Sequence, residues 1–427
     1  MNKTKEIFII GFALFSLFFG AGNLILLPFL GFQAGNDWLI VFVGFVIAAV
    51  LIPILGIIAH AKLQGTLFDF GKKVSPLFSL TYCFIVYVIS ISLPAPRTAA
   101  VTHEMAIAPY FDVSPLVTSS IYFLLVFLFV INRSKMLNII GKFLTPLIVI
   151  ILLSIIVVGL FIAPNIINSS NFEIPIIAGL LEGYQTFDAI GGVVVGGVIV
   201  VSLNLKRNIS KTLKKELILK GGIVAGMGLF IIYLGLIYSG AIFSSEFSSD
   251  ASRSEVLNLL TSMTLGSVGT IFLSVLVALA CFTTAVGIII GTADYFKGRF
   301  NNSKLAYIIT AIIGCILGVA VGQFDVHYIL NIALPVLMFI YPITIVLILL
   351  NIILEKFASP IVFKSTVLVT IIFSIPDFLQ FFISIENLQI VHDLIPFSSA
   401  SLGWVFPALV TFIVVNIYRR IFNSSIV

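Results

Sequence analysis

The sequence predicts an all-α integral membrane protein of twelve transmembrane helices. Three observations carry the prediction: an apolar composition, a succession of hydrophobic segments of bilayer length, and a one-sided distribution of basic residues. Hydrophobic residues make up 60% of the 427-residue chain and charged residues 10%. Soluble domains carry about 25% charged residues, so this chain cannot cover a water-facing surface of ordinary size, and its main solvent is lipid. The net charge of +5 does not point to nucleic acid. The basic residues are scattered through short loops and form no stripe interleaved with exposed aromatics. Cys83, Cys281 and Cys315 sit inside apolar runs without CxxC or Cys/His spacing, and read as small buried apolar residues.

A span needs about 20 mainly apolar residues. The stretches that qualify run over 7–33, 38–60, 77–101, 115–131, 138–163, 176–203, 217–243, 266–293, 305–323, 328–354, 362–383 and 401–418. The first follows Lys3 and Lys5 and imitates a secretory signal as far as Gly20-Ala21-Gly22. Its apolar run resumes at Leu24 and continues to Phe32, so it reads as an uncleaved span.

Loop charges orient the chain. Gaps after odd-numbered spans hold Asp37, His103, Glu104, Asp112, Glu173, Glu246, Asp250, Arg253, Glu255, Asp325, Glu386 and Asp393. The other side holds 21 of the 23 Lys and Arg, among them Lys72, Lys73, Arg133, Lys135, Lys206, Arg207, Lys214, Lys215, Arg419 and Arg420; only Arg97 and Arg253 are left over. By the positive-inside rule both termini are cytoplasmic, and one missed or spurious span would scramble every later loop. No loop is long enough for a soluble domain, and no GxxxxGK[ST] phosphate loop occurs, so ATP-driven transport by this chain alone is not expected.

Helices in lipid must satisfy their own backbone polar groups, so interruptions survive only where they face protein or water. In the first span, Leu17 to Leu24 places Gly20, Gly22 and Asn23 near mid-membrane, with Pro28 beyond. In the sixth, Leu181 to Gly192 places Glu182, Tyr184, Gln185, Thr186 and Asp188 where lipid would forbid them. First and sixth are matching positions of two five-span repeats with two spans appended, which predicts units at 1–163, 164–354 and 355–427. Paired interruptions of this kind point to a transporter binding site.

Unwinding Gly20 to Asn23 would free amides at the start of a half-helix, a favourable place for a carboxylate, and carbonyls that can hold a small cation or an ammonium. Gly192-xxx-Gly196, Gly222-xxx-Gly226 and Gly314-xxx-Gly318 read instead as close helix packing. Span eight carries Thr283 and Thr284 at membrane depth. Their hydroxyls could ligate a hard cation such as Na⁺ or bond back to their own helix, and spacing alone leaves both open. Span three ends in Leu93-Pro94-Ala95-Pro96-Arg97-Thr98-Ala99, where two prolines break the helix beside a rare intramembrane cation whose natural partners are Glu104, Glu182 or Asp188. HExxH, GxGD and Asp-rich prenyl-diphosphate motifs are absent, and His60, His103, His327 and His392 lack metal-ligand spacing, so no enzyme is expected. A channel would show a repeated pore loop or a short ring-forming chain.

Phe18 to Leu24, Pro96-Arg97-Thr98-Ala99, Glu182 to Ala189 and Ala280 to Gly287 resemble the branched-chain amino acid:cation symporter family of BrnQ type, over essentially the whole chain and in order. The resemblance implies uptake of leucine, isoleucine and valine across the bacterial cytoplasmic membrane, driven by Na⁺ or H⁺ and without a cofactor. It also implies the inverted five-helix repeat of the amino acid–polyamine–organocation superfamily, with discontinuous helices one and six. In that fold the first-span carbonyls and span-eight hydroxyls bind a coupling Na⁺, and Gly20, Ala21, Thr283 and Thr284 fit those positions. The substrate carboxylate is then expected at the amides near Gly22 and Asn23, and its ammonium near Tyr184 and Thr186. Asp188 follows in the same break, after Phe187, a mild departure from the other apolar residue that the family often carries there and one that reshapes the pocket. If protons drive uptake, Asp188 or Glu182 becomes the carrier, with Arg97 and Glu104 as further coupling or gating candidates. Oligomeric state is left open.

Overall fold

The computed structural model describes residues 3–132, 136–164, 166–205, 210–383 and 394–423. Arg133, Lys135, Lys206, Arg207, Glu386, His392 and Asp393, all named above, lie outside the described residues. In chain order the helices are α1 (Lys3–Phe18), α2 (Ala21–Ala34), α3 (Trp38–Val46), α4 (Ile52–Leu63), α5 (Leu67–Gly71), α6 (Pro76–Ser92), α7 (Pro94–Thr102), α8 (Pro115–Asn132) and α9 (Met136–Ile162). They continue as α10 (Pro175–Tyr184), α11 (Asp188–Leu205), α12 (Lys211–Ile242), α13 (Arg253–Arg299), α14 (Lys304–Gly322), α15 (Val326–Ile352), α16 (Pro360–Leu379) and α17 (Val405–Asn423). Among the described residues there is no strand, and eight helical segments are long and apolar enough to cross a membrane. Each apolar stretch of the sequence falls on a helix or a pair of helices.

The chain divides into two compact units. The first comprises Met1–Val50, Val86–Thr186 and Ile223–Leu330. In it α13 packs against α2, α7, α9 and α14, and α3 lies against α10. The last pair approaches backbone to backbone, because a Cβ at Gly44 would overlap the Ile176 carbonyl and one at Gly179 the Val41 carbonyl. Outward positions are apolar: Leu116, Ile121, Leu124, Leu125 and Leu128 of α8 are all exposed, where a water-facing helix would carry charge.

The second unit comprises Leu51–Ile85, Phe187–Gly222 and Asn331–Val427. Here α11 packs against α4 and α5, and α16 against α17. Gly192 faces the Pro53 carbonyl and Gly196 the His60 ring, so this glycine pair is a packing device. Gly318, in the first unit, likewise accommodates the Phe123 ring.

Two local features owe their geometry to single residues. Ser252-Arg253-Ser254-Glu255 is a capping box: the Ser252 hydroxyl accepts the Glu255 amide at 3.3 Å and the Glu255 carboxylate accepts the Ser252 amide at 2.7 Å. Thirteen residues into α13, Gly266 adopts φ 69° and ψ −172° and kinks the helix just where span eight begins. That conformation is open only to glycine, and a side chain there costs about 1–3 kcal/mol. Gly266→Ala is therefore expected to lower the thermal midpoint of the solubilised protein. Gly287→Ala, at an open helical position of the same helix, is expected to leave it unchanged or raise it, with both read by scanning fluorimetry.

Candidate functional site

The first span breaks over Phe19 and Gly20. Gly20 is extended at φ −84° and ψ 159°, and α2 restarts at Ala21. The sequence placed the unwound stretch at Gly20 to Asn23; the structure shortens it, and the cause is Asn23. Its side-chain Nδ2 donates to the Phe18 carbonyl at 2.9 Å and to the Tyr233 hydroxyl at 2.8 Å. The first bond adds to that of the Gly20 amide, which donates to the same Phe18 carbonyl at 2.8 Å, so the end of α1 is doubly satisfied. The second anchors the break to α12. The Asn23 amide is bound to the Gly20 carbonyl at 3.0 Å, which leaves Ala21 and Gly22 as the first-turn amides without an earlier helical turn to accept from them.

The sixth span breaks over Gln185, Thr186 and Phe187. The Gln185 and Thr186 amides close back on the Glu182 and Gly183 carbonyls at 3.1 and 3.3 Å, and the Thr186 hydroxyl also donates to Gly183 at 2.7 Å. Phe187 is left-handed at φ 61°, uncommon for a bulky residue and a mark of an over-determined backbone. Asp188, the first residue of α11, is buried at the helix start, where the helix dipole favours an anion. It belongs to the second unit, whereas Tyr184, Gln185 and Thr186 belong to the first.

Span three breaks at Leu93, and Pro94 and Pro96 occupy the first turn of α7, where a missing amide costs no helical bond. This break sets the position of Arg97, which is 6% exposed. Its Nη1 donates to the Gln185 carbonyl at 2.7 Å. Its guanidinium also lies directly over Gly22, where an added Cβ would overlap Nη2, Cζ and Nε. One buried cation thus joins the first-span break to the sixth-span break, within a single unit. Two of the three carboxylates expected as its partners, Glu104 and Glu182, are bonded to other groups. Glu104 accepts from the Ser254 hydroxyl and the Val326 amide, both at 2.8 Å. Glu182 pairs with Arg253 at 3.4 Å, and the Arg253 guanidinium stands 5.4 Å from the Phe29 ring centroid.

Span eight contributes less directly. The Thr283 hydroxyl donates to the Ala280 carbonyl of its own helix at 2.9 Å, and Thr284 is half-buried. Their helix, α13, packs against both α2 and α7. Sequence reasoning missed Tyr233, which lies 210 residues from the asparagine it holds and leaves no spacing signal. It also gave no role to Arg253, although that residue's exception to the positive-inside rule and the Ser-x-x-Glu box around it were both legible.

A family model described as branched-chain amino acid transport protein matches residues 3–422. The chain is 30% identical over 419 residues to the branched-chain amino acid permease BraB of Bacillus subtilis (strain 168), across 95% of this chain and 94% of that one. It is 32% identical over 416 residues to the branched-chain amino acid permease BrnQ of Corynebacterium glutamicum, across 96% and 94%. Among solved structures, the inward-facing conformation of Mhp1 superimposes with a TM-score of 0.56 at 12% identity, over 98% of this chain and 91% of that one. A Na⁺-coupled sialic acid symporter in its substrate-bound outward-open state gives 0.60 at 13%, over 96% and 89%. MhsT in complex with L-phenylalanine gives 0.55 at 15%, over 95% and 97%. At these identities the likeness is one of fold.

Proposed function

Because this chain belongs to the branched-chain amino acid transport protein family, a family of transporters and not of enzymes, we propose that it imports leucine, isoleucine and valine by symport with Na⁺ through alternating access. The observation that carries this reading is the Arg97 guanidinium lying between Gly22 and the Gln185 carbonyl. A helix break at membrane depth is tolerated only beside protein or water, and a buried cation common to two breaks marks the place where charge is handled. The substrate carboxylate takes the Ala21 and Gly22 amides beside Arg97, and the ammonium takes the oxygens at Tyr184 and Thr186. An apolar pocket distinguishes one methylene by only about 1–3 kcal/mol, so all three aliphatic amino acids are carried. Gly20, Ala21, Thr283 and Thr284 hold the coupling Na⁺, with the Thr283 hydroxyl leaving the Ala280 carbonyl when the ion binds.

We further read the chain as twelve spans in a bacterial cytoplasmic membrane, with repeats at 1–163 and 164–354 and two helices at 355–427. Bonds between loops support this orientation. Asn168 joins Asn36 and Ser244, and Glu104 joins Ser254 and Val326, all from odd-numbered gaps. Lys62 and Lys73, both in the second gap, reach the Ile353 carbonyl at the end of span ten and the Ala358 carbonyl in the tenth gap.

Uptake of labelled leucine into proteoliposomes, with and without an inward Na⁺ gradient, tests the coupling. Thr284→Ala is expected to abolish the Na⁺-stimulated component while the protein stays folded, and unchanged Na⁺ dependence would sink the assignment. H⁺ coupling is the second reading, favoured by the buried carboxylate of Asp188. Under it Asp188→Asn removes the pH dependence of uptake and leaves Na⁺ without effect.

A further inference from the structure

The second unit ends in the pair α16 and α17, to which the site described above assigns nothing. The buried face of α16 carries Thr366, Thr370, Ser374 and Asp377, spaced so that all four lie along one side of the helix. The Ser374 hydroxyl turns back to the Thr370 carbonyl at 2.7 Å, and the Thr370 hydroxyl to the Thr366 carbonyl at 2.8 Å. Asp377 ends the stripe. It is 1% exposed, and among the described residues neither of its carboxylate oxygens has a hydrogen-bond partner. Gln380, one turn on, spends its amide on the Asp377 backbone carbonyl at 3.0 Å and on the Ser401 hydroxyl at 2.9 Å, bypassing the carboxylate. In the turn that Gln380 anchors, the Ser398 hydroxyl and Trp404 indole N–H are likewise buried without partners among the described residues.

Among the described residues, the charged groups of the neighbouring elements lie elsewhere; Glu386, His392 and Asp393 are outside them. On α17, Tyr418, Arg419 and Arg420 lie beyond Asn416, whose amide donates to the Phe357 carbonyl, just before the start of α16. Lys73 stands over Phe363, near that same end and about 20 Å along the helix from Asp377. Lys364 of α16 itself is exposed there. On α15, Phe339 meets the Phe378 ring, and the Tyr341 hydroxyl accepts the Ala189 amide. Residues 394–404 contain no titratable side chain.

An ionised carboxylate without a partner in an apolar layer is prohibitively costly, and such groups neutralise instead. A hard cation would need several converging oxygens, and no hydroxyl among the described residues bonds to the carboxylate. A proton needs only the carboxylate. We propose that Asp377 is an intramembrane proton-binding site and carries its proton in this conformation. This does not depend on which ion drives uptake: under Na⁺ coupling the site is additional, and under H⁺ coupling it joins Asp188 and Glu182 as a carrier.

Infrared difference spectra of the reconstituted full chain, wild type minus Asp377→Asn, test the proposal at neutral pH. The amide is nearly isosteric with the protonated acid, so the fold is expected to survive. Asp377→Leu gives the same comparison should the amide prove destabilising. The expected result is a carbonyl stretch of a protonated carboxylic acid that shifts in D₂O and is lost in either variant. A difference spectrum showing only carboxylate stretches overturns the proposal.

Discussion

Replacing Arg97 with alanine is expected to reduce leucine uptake by roughly 10- to 150-fold, with normal amounts of folded protein in the membrane. The magnitude follows from the contact. A charge-assisted hydrogen bond contributes about 1.5–3 kcal/mol, and its removal also strands the buried Gln185 carbonyl. Each 1.4 kcal/mol is a factor of ten. If the guanidinium also receives the substrate carboxylate, the loss appears in KM as well as in the maximal rate. If it only holds the two breaks in register, the maximal rate falls and KM changes little. Arg97→Lys separates these roles. Lysine keeps the charge but lacks the planar fork that can reach the Gln185 carbonyl while covering Gly22. Partial recovery of KM with a low maximal rate is the outcome expected of a residue doing both. Uptake by Arg97→Ala within two-fold of wild type would remove Arg97 from the site.

How much of this was legible in the sequence depends on whether a signal is local. Gly20 and Gln185 announce breaks because polar or conformationally free residues interrupt apolar runs, and the lipid solvent makes such interruptions rare. Arg97 was visible for the same reason, as a cation that obeys neither the hydropathy nor the loop-charge rule. Its bond to Gln185 was not visible, because it goes to a backbone carbonyl, which every residue carries and no pattern flags. Asn23 was misread in extent for a related cause. It reads as one more helix-disrupting residue, yet its side chain adds a second donor at the Phe18 carbonyl, beside the Gly20 amide, and α2 restarts three residues sooner, at Ala21. Asp377 was passed over because one acidic residue in an eleventh apolar run has no paired interruption to mark it.

Gly20 and Gly22 look equivalent in the sequence, and their alanine variants are expected to differ sharply. A Cβ on Gly20 meets nothing within 4 Å, whereas one on Gly22 collides with the Arg97 guanidinium. Gly20→Ala is therefore expected to retain most of its uptake, since its φ of −84° is open to any residue. Gly22→Ala must displace the guanidinium from the Gln185 carbonyl, so its loss should match that of Arg97→Ala, roughly 10-fold or more. The double variant then discriminates between causes. If the methyl acts only by expelling Arg97, adding Gly22→Ala to Arg97→Ala costs little further, and the two effects are strongly non-additive, as expected of groups in contact. If the methyl itself blocks the Ala21 and Gly22 amides, the losses add and the substrate carboxylate lies at the helix start. Equal, near-wild-type uptake by Gly20→Ala and Gly22→Ala would show that the guanidinium moves aside freely, and the join between the two breaks would then carry no part of transport.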